Sequence, residues 1–228
     1  MKTQTRLSKL MLAFAAFLTL SSIMILSSCS KDDDDDDMNG AANIQVIHSA
    51  EGTGRVELYL DNQKVNNSAV AYAQSSGYLR TTTGTKTAEI KLEGSTQVVS
   101  STNVNFESGK NYTIYVTKSG TAASTVTTSD NTTSPTAGNA KVRFVNLSAL
   151  LSNATIMLDN SLSLSGNLAF GSTTDYSVVS AGQHNFKATA VSNANITANN
   201  NFTVQDGKVY TIYLIGTTNL GLNIVTHK

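Results

Sequence analysis

Gly109-Lys110-Asn111-Tyr112-Thr113-Ile114-Tyr115 returns 98 residues later as Gly207-Lys208-Val209-Tyr210-Thr211-Ile212-Tyr213. A glycine followed by a run of β-branched and aromatic residues is the pattern of a strand leaving a tight turn. The same displacement, without a gap, lays Leu60-Asp61-Asn62 on Leu158-Asp159-Asn160, Ala71 on Ala169, Tyr78 on Tyr176 and Gly84 on Gly182. One offset shared by so many special positions means two copies of one domain. They are expected over residues 41–128 and 139–228. Residues 129–138 between them are rich in Ser, Thr, Asn and Gly and hold Pro135, the chain's one proline, as expected of a linker.

Within each copy the apolar residues alternate, which is the period of a strand with one face on a core. Val56, Leu58 and Leu60 are expected to face inward, with Ala154, Ile156 and Leu158 as their counterparts. Ala88, Ile90 and Leu92 match Phe186, Ala188 and Ala190, and Ile44 and Val46 match Val142 and Phe144. Further strands fit near 68–73, 77–81, 96–106, 111–118, 122–128 and 209–216. No segment after residue 38 sustains a helical period. About seven or eight short strands per hundred residues indicate two tandem immunoglobulin-like antiparallel β-sandwiches, an all-β chain with helix confined to its leader.

The leader occupies residues 1–28. Lys2, Arg6 and Lys9 precede an apolar run over 10–26, and Leu26-Ser27-Ser28 leads into Cys29, the only cysteine. A basic start, an apolar run and small residues before a cut site mark a secretory signal. The cysteine placed straight after them resembles the lipobox of bacterial lipoproteins. That resemblance implies cleavage before Cys29, lipid on its thiol and a membrane partner reached through the anchor. An uncleaved membrane helix is the alternative, but the 17-residue run is close to the minimum for spanning a bilayer, and Thr19, Ser21 and Ser22 interrupt it.

Residues 29–40 then form an acidic tether, with six aspartates at 32–37. A block of like charge is ordinarily disordered and solvated. Lys31 followed by Asp32, Asp33 and Asp34 also resembles the export signal of surface lipoproteins in some Gram-negative bacteria, which implies an outer-membrane protein facing the cell exterior. Consecutive aspartates on an extended strand do not converge their oxygens on calcium.

Charge narrows the function. The 16 basic and 16 acidic residues become 13 and 16 once the leader is set aside, and 12 and 10 without Lys31 and the six aspartates. A body this close to neutral lacks the concentrated positive charge that nucleic-acid binding requires. With its one thiol assigned to lipid, the folded part has no disulfide and no cysteine-based metal site to hold it together.

Both copies resemble the bacterial domain of unknown function numbered 4397. The residues that carry the likeness are a first strand ending in histidine, Ile44 to Ala50 through His48, and a strand closing on Asp-Asn, Val56 to Asn62. Ala71-Tyr72-Ala73, Gly77-Tyr78 and Gly84 follow. The second copy keeps Arg143, Phe170-Gly171, Tyr176 and Ala181-Gly182, and has Asn146 in place of His48. The resemblance implies a fold and a location, and brings no established activity.

No catalytic constellation is expected. His48, His184 and His227 are not spaced as metal ligands, and His184 matches Lys86, which suggests an exposed position. Asp61-Asn62 and Asp159-Asn160 read as strand-ending turns rather than cation ligands. Neither paired carboxylates for glycoside cleavage nor a nucleophile elbow occurs. The eight tyrosines could stack on a glycan or peptide, although tryptophan is absent. Tyr112 and Tyr115, three apart on a strand, must point to opposite faces, one into the core and one outward. The expectation is a non-catalytic surface lipoprotein without cofactor or metal. Its roles would be adhesion, envelope structure or capture of an extracellular glycan or protein, with a glycan- or peptide-binding accessory of an outer-membrane uptake system as the alternative. The sequence names no ligand-binding residue.

Overall fold

The structure, a computed structural model, describes residues 40–227. Cys29, Lys31 and Asp32 to Asp34, the expected lipidation and export positions, lie outside the described residues. The first copy contributes β1 (Ala41–His48), β2 (Val56–Leu60), β3 (Gln63–Lys64), β4 (Leu79–Thr82), β5 (Gly84–Leu92), β6 (Val98–Phe106), β7 (Asn111–Ser119) and β8 (Ala122–Asp130). The second contributes β9 (Asn139–Asn146), β10 (Asn153–Leu158), β11 (Leu162–Ala169), β12 (Ser177–Ser180), β13 (Gly182–Ala190), β14 (Thr197–Val204), β15 (Val209–Ile215) and β16 (Gly221–Thr226). No α-helix occurs among the described residues.

Each copy is a sandwich of two four-stranded sheets. In the first they run β4-β1-β7-β8 and β3-β2-β5-β6, and in the second β12-β9-β15-β16 and β11-β10-β13-β14. Pairing is antiparallel except between β1 and β7 and between β9 and β15, which are parallel. The inward residues read from the alternation line the two cores: Ile44, Val46, Leu58, Ala88 and Ile90 in one, Val142, Phe144, Ile156, Phe186 and Ala188 in the other. Burying each large side chain contributes about 1.5–3 kcal/mol.

The Asp-Asn pairs behave as turns. Asp61 and Asn62 have φ of 48° and 67°, Asp159 and Asn160 of 51° and 55°. Two successive left-handed residues match the right-handed twist of a hairpin, and Asp and Asn tolerate that region better than other side chains. The Asp61 carboxylate also accepts the Thr87 N–H at 2.9 Å, and Asp159 accepts the Asn185 N–H at 2.8 Å.

The strand expected near 68–73 does not form in the first copy, where only an isolated bridge joins Val56 and Val70. Asn66 supplies the reason. Its side-chain oxygen accepts the Leu58 N–H at 2.7 Å and its amide donates to the Ser68 carbonyl at 2.8 Å, so a side chain takes the place of ladder partners. The matching residue in the second copy is Leu164, which cannot do this, and there β11 runs as a strand of eight residues, paired with β10 through two register shifts.

The larger departure concerns the faces of β7 and β15. Tyr112 and Tyr210 point into their own sandwich cores, as one tyrosine of each pair must. Tyr115 and Tyr213 point the other way, yet neither is exposed. They meet each other, ring centroids 6.1 Å apart, in a third core with Ile47, Val145, Leu147 and Ile215. The β1 and β9 sheets therefore lie face to face, and both their faces are buried. Asn39–Lys228 is accordingly one compact unit.

Candidate functional site

A cluster of buried polar side chains lies at the edge of that third core, between the two copies. Arg143 on β9 and Gln45 on β1 are repeat equivalents, and both are almost wholly buried. The chain ends of β8 and β16 are equivalents too. Asp130 sits beside Asn111, and the His227 N–H bonds to the Val209 carbonyl, Val209 being the match of Asn111. The interface pairs these positions crosswise. Arg143 of the second copy meets Asp130 of the first, and Gln45 of the first meets His227 of the second, with Gln45 Nε2 3.3 Å from His227 Nδ1.

The satisfaction of these groups is close to complete. Arg143 Nε donates to Thr211 Oγ1, Nη1 to the Ser129 carbonyl and Nη2 to Thr128 Oγ1, each at 2.8 Å, and Nη2 also reaches Asp130. Its guanidinium lies 4.8 Å over the Tyr176 ring. The other Asp130 oxygen accepts from the Thr113 and Tyr78 hydroxyls, both at 2.6 Å. Gln45 donates to Thr113 Oγ1 at 2.9 Å and accepts from Ser75 Oγ at 2.9 Å.

Burial, more than any charge, pushes His227 down to about 4. It is neutral at physiological pH, so its 3.7 Å approach to Asp130 is not an ion pair. Thr211 Oγ1 and the Tyr78 hydroxyl, both 2.7 Å away, occupy its two ring nitrogens. Burial also raises Tyr78, helped by the adjacent Asp130. The cluster has an acid, a base and a hydroxyl within reach of each other, but Arg143, Asp130, Gln45 and His227 are hydrogen-bonded and enclosed, while the buried Tyr115 and Tyr176 hydroxyls beside them have no partner among the described residues. It is a joint that ties two domains together. The linker expected at 129–138 is thus tied down at its start, since Asp130 and the Ser129 carbonyl belong to the joint.

The other histidines also brace the fold. Nδ1 of His48 accepts the Ala50 N–H at 3.3 Å, which leaves the proton on Nε2 to bond the Gly54 carbonyl at 2.9 Å. Burial lowers its pKa. Asn146 does the same job in the second copy, donating to the Leu151 and Leu168 carbonyls at 3.0 and 3.1 Å. An amide can thus replace the imidazole because the loop needs only a hydrogen-bond brace. His184 is mostly covered rather than exposed, 2.7 Å from Asp159, in the place where Lys86 lies 3.5 Å from Asp61. Among the described residues no three His, Cys, Asp or Glu side chains gather as metal ligands.

Accessible concavities lie along the sandwich edges. One, about 290 Å³, is lined by residues of 66–79 together with Arg55. Another, about 450 Å³, is lined by residues of 164–177. These ranges are repeat equivalents, so each copy carries the same groove between the free edges of its two sheets. Their walls are mainly Ser, Thr, Asn and Ala, with Arg55 at one and Asp175 at the other. The sequence carried no signal for them beyond the polar loop composition.

No curated protein matches the chain. Solved structures that resemble it include the Bacillus anthracis TIE protein, at 10% identity and a TM-score of 0.25, over 77% of this chain and 34% of that one. CBMbc, the family CBM26 module of Eubacterium rectale Amy13K solved with maltoheptaose, has 8% identity and a TM-score of 0.27, over 80% and 96%. A leucine-rich repeat protein from Bacteroides thetaiotaomicron has 13% identity and a TM-score of 0.22, over 79% and 26%. This chain spans about a third of the Bacillus anthracis protein. Scores this low carry no functional argument. The family model for domain of unknown function DUF4397 matches twice, over residues 42–154 and 149–227. The chain belongs to that family and carries two copies of its domain.

Proposed function

We propose that this is a non-catalytic lipoprotein, anchored through Cys29 and displayed outside the outer membrane, whose two copies act as one rigid body that captures an extracellular ligand. One observation carries the binding reading: the same open groove recurs at the same register in both copies, although most residues lining it differ. Hydroxyls, amides and backbone groups on a scaffold fixed from behind suit a hydroxyl-rich ligand such as a glycan, held by hydrogen bonds rather than by an aromatic platform. The position of Cys29 after its small residues, and Lys31 with Asp32 to Asp34, support the address.

Glycan-array binding by the body from residue 39 onward tests the groove. Filling it in one copy with Asn67→Trp or in the other with Ser165→Trp should each weaken binding, and the double variant should abolish it. Full retention in the double variant would dismiss the grooves and leave adhesion or envelope structure through other surfaces. Protease treatment of intact cells should release fragments of 40–227, and failure to do so would count against display. The mass of the native N-terminus should show a lipidated Cys29.

A further inference from the structure

The two copies differ at the pole opposite the chain's entry, where the β7–β8 and β15–β16 hairpins turn. In the second copy Leu151 is fully buried in the core, and Leu150, Ile196 and Leu220 pack against it. The 98-residue offset places Gly52 and Thr53 where the second copy has Leu150 and Leu151, and Val98 where it has Ile196, with a bulge in β6 that turns Val98 opposite Lys91. Ala123 stands for Leu220, since Ser124 and Gly221 are the paired partners of Thr117 and Ile215. Every substitution is toward a smaller or more polar side chain. The result is a cavity of about 340 Å³ that includes Val56, Leu92, Val98, Val99 and Val116 in its walls. Val98, one of the lining residues, is 39% exposed.

We infer that this cavity is a binding site for a small neutral molecule bearing a short aliphatic chain. The second copy shows what fits, because its own leucine side chains occupy the matching space. Its walls are more apolar than polar, so a short hydrocarbon chain lying against the valines gains by leaving water while a polar head stays at the rim. No charged side chain lines it, and Gln97 and Thr121 at the rim offer hydrogen bonds to an uncharged head such as a hydroxyl or amide.

The test titrates n-hexanol, n-hexylamine and hexanoate into the body from residue 39 onward, reading methyl NMR shifts. Hexanol should saturate with shifts confined to Val56, Leu92, Val98, Val99, Val116 and the lining alanines, and bind at least tenfold more tightly than either charged analogue. Thr53→Leu with Ala123→Leu, which restores the plugs of the second copy, should abolish binding. Val98→Asp, at the exposed rim, should weaken it at least tenfold without affecting folding. Non-saturable shifts, undiminished binding in both variants, or shifts centred on Leu151 would overturn the assignment. So would concentration-dependent self-association abolished by Val98→Asp, which would give the cavity to a second copy of the chain.

Discussion

The two copies share one framework but are finished differently, and the differences fall where the framework leaves a choice. At the joint, equivalent positions hold Gln45 and Arg143 on the first strands, and Asp130 and His227 on the last. One half is therefore an enclosed ion pair and the other a neutral amide–imidazole contact, although both are built on equivalent strand positions. On the outer sheet the first copy carries Glu57, Lys64, Glu89 and Lys91, with Lys91 4.3 Å over the Tyr59 ring. The second has Thr155, Leu162, Lys187 and Thr189 in those places. What both copies retain is the backbone plan: the Asp-Asn turn, the brace after the first strand, and the tyrosine shared across the joint. The shared features serve the fold, and the divergent ones fall in the buried joint and on the outer sheet.

The joint gives the largest expected asymmetry. Arg143→Ala strands Asp130 as an unpaired buried charge and should cost about 3–5 kcal/mol. Its equivalent Gln45→Ala removes only neutral hydrogen bonds and should cost about 1–3 kcal/mol. Urea unfolding midpoints check both, and equal losses would refute the distinction between the halves. At the distal pole, Leu151→Ala should cost about 2–5 kcal/mol by opening in the second copy the space that is already open in the first. Ala123→Leu should leave stability unchanged or higher, and a loss as large as that of Leu151→Ala would mean the first copy's cavity cannot take hydrocarbon.

Proton titration next separates the buried joint from the Asp-Asn turn of the second copy. His227 is held neutral down to about 4 by burial, whereas the Asp159 carboxylate raises His184 above its ordinary value despite partial burial. For a base lowered in the folded state, the unfolded chain binds more protons between its ordinary value near 6.5 and about 4. Stability should therefore fall as pH drops through that window, and His227→Gln should flatten the slope. His184 has the opposite sign: its contribution is full below 6.5 and is lost as pH rises through its raised folded value. Imidazole proton shifts should rank the three rings His184 highest, with His48 and His227 both below 6.5. Any other order contradicts the assigned contacts.

The smallest effect should be the most symmetric. Asn62→Gly and Asn160→Gly relieve left-handed backbone at equivalent turns, and each should gain about 0.5 kcal/mol or less. A clear difference between them would show that the turns are not equivalent.

Much of this was legible in the residues. The 98-residue offset gave the copies, the alternation in 56–60 and 154–158 gave core faces, and Asp-Asn gave the hairpins. The joint was missed because alternation describes a strand with one wet face. Tyr112 to Val116 and Val209 to Ile215 are nearly continuous runs without polar alternation, the mark of strands covered on both sides. The kinship of Asp130 and His227 was hidden for a different reason. Tyr112 pairs with Ser129 but Tyr210 with Thr226, so the offset shortens by one residue after the last hairpin. The ladder reveals that slip and a fixed offset cannot. The missing strand near 68–73 turned on one amide, Asn66, whose competition with the backbone depends on a fold not yet known when the sequence is read.

The fusion of the two sandwiches through Tyr115, Tyr213 and the Arg143–Asp130 pair is most directly tested by differential scanning calorimetry of the body from residue 39 onward. A single transition is expected, with calorimetric and van't Hoff enthalpies in agreement, and Arg143→Ala should lower the melting of both copies together. Two separable transitions, with the first copy melting unchanged in Arg143→Ala, would contradict it.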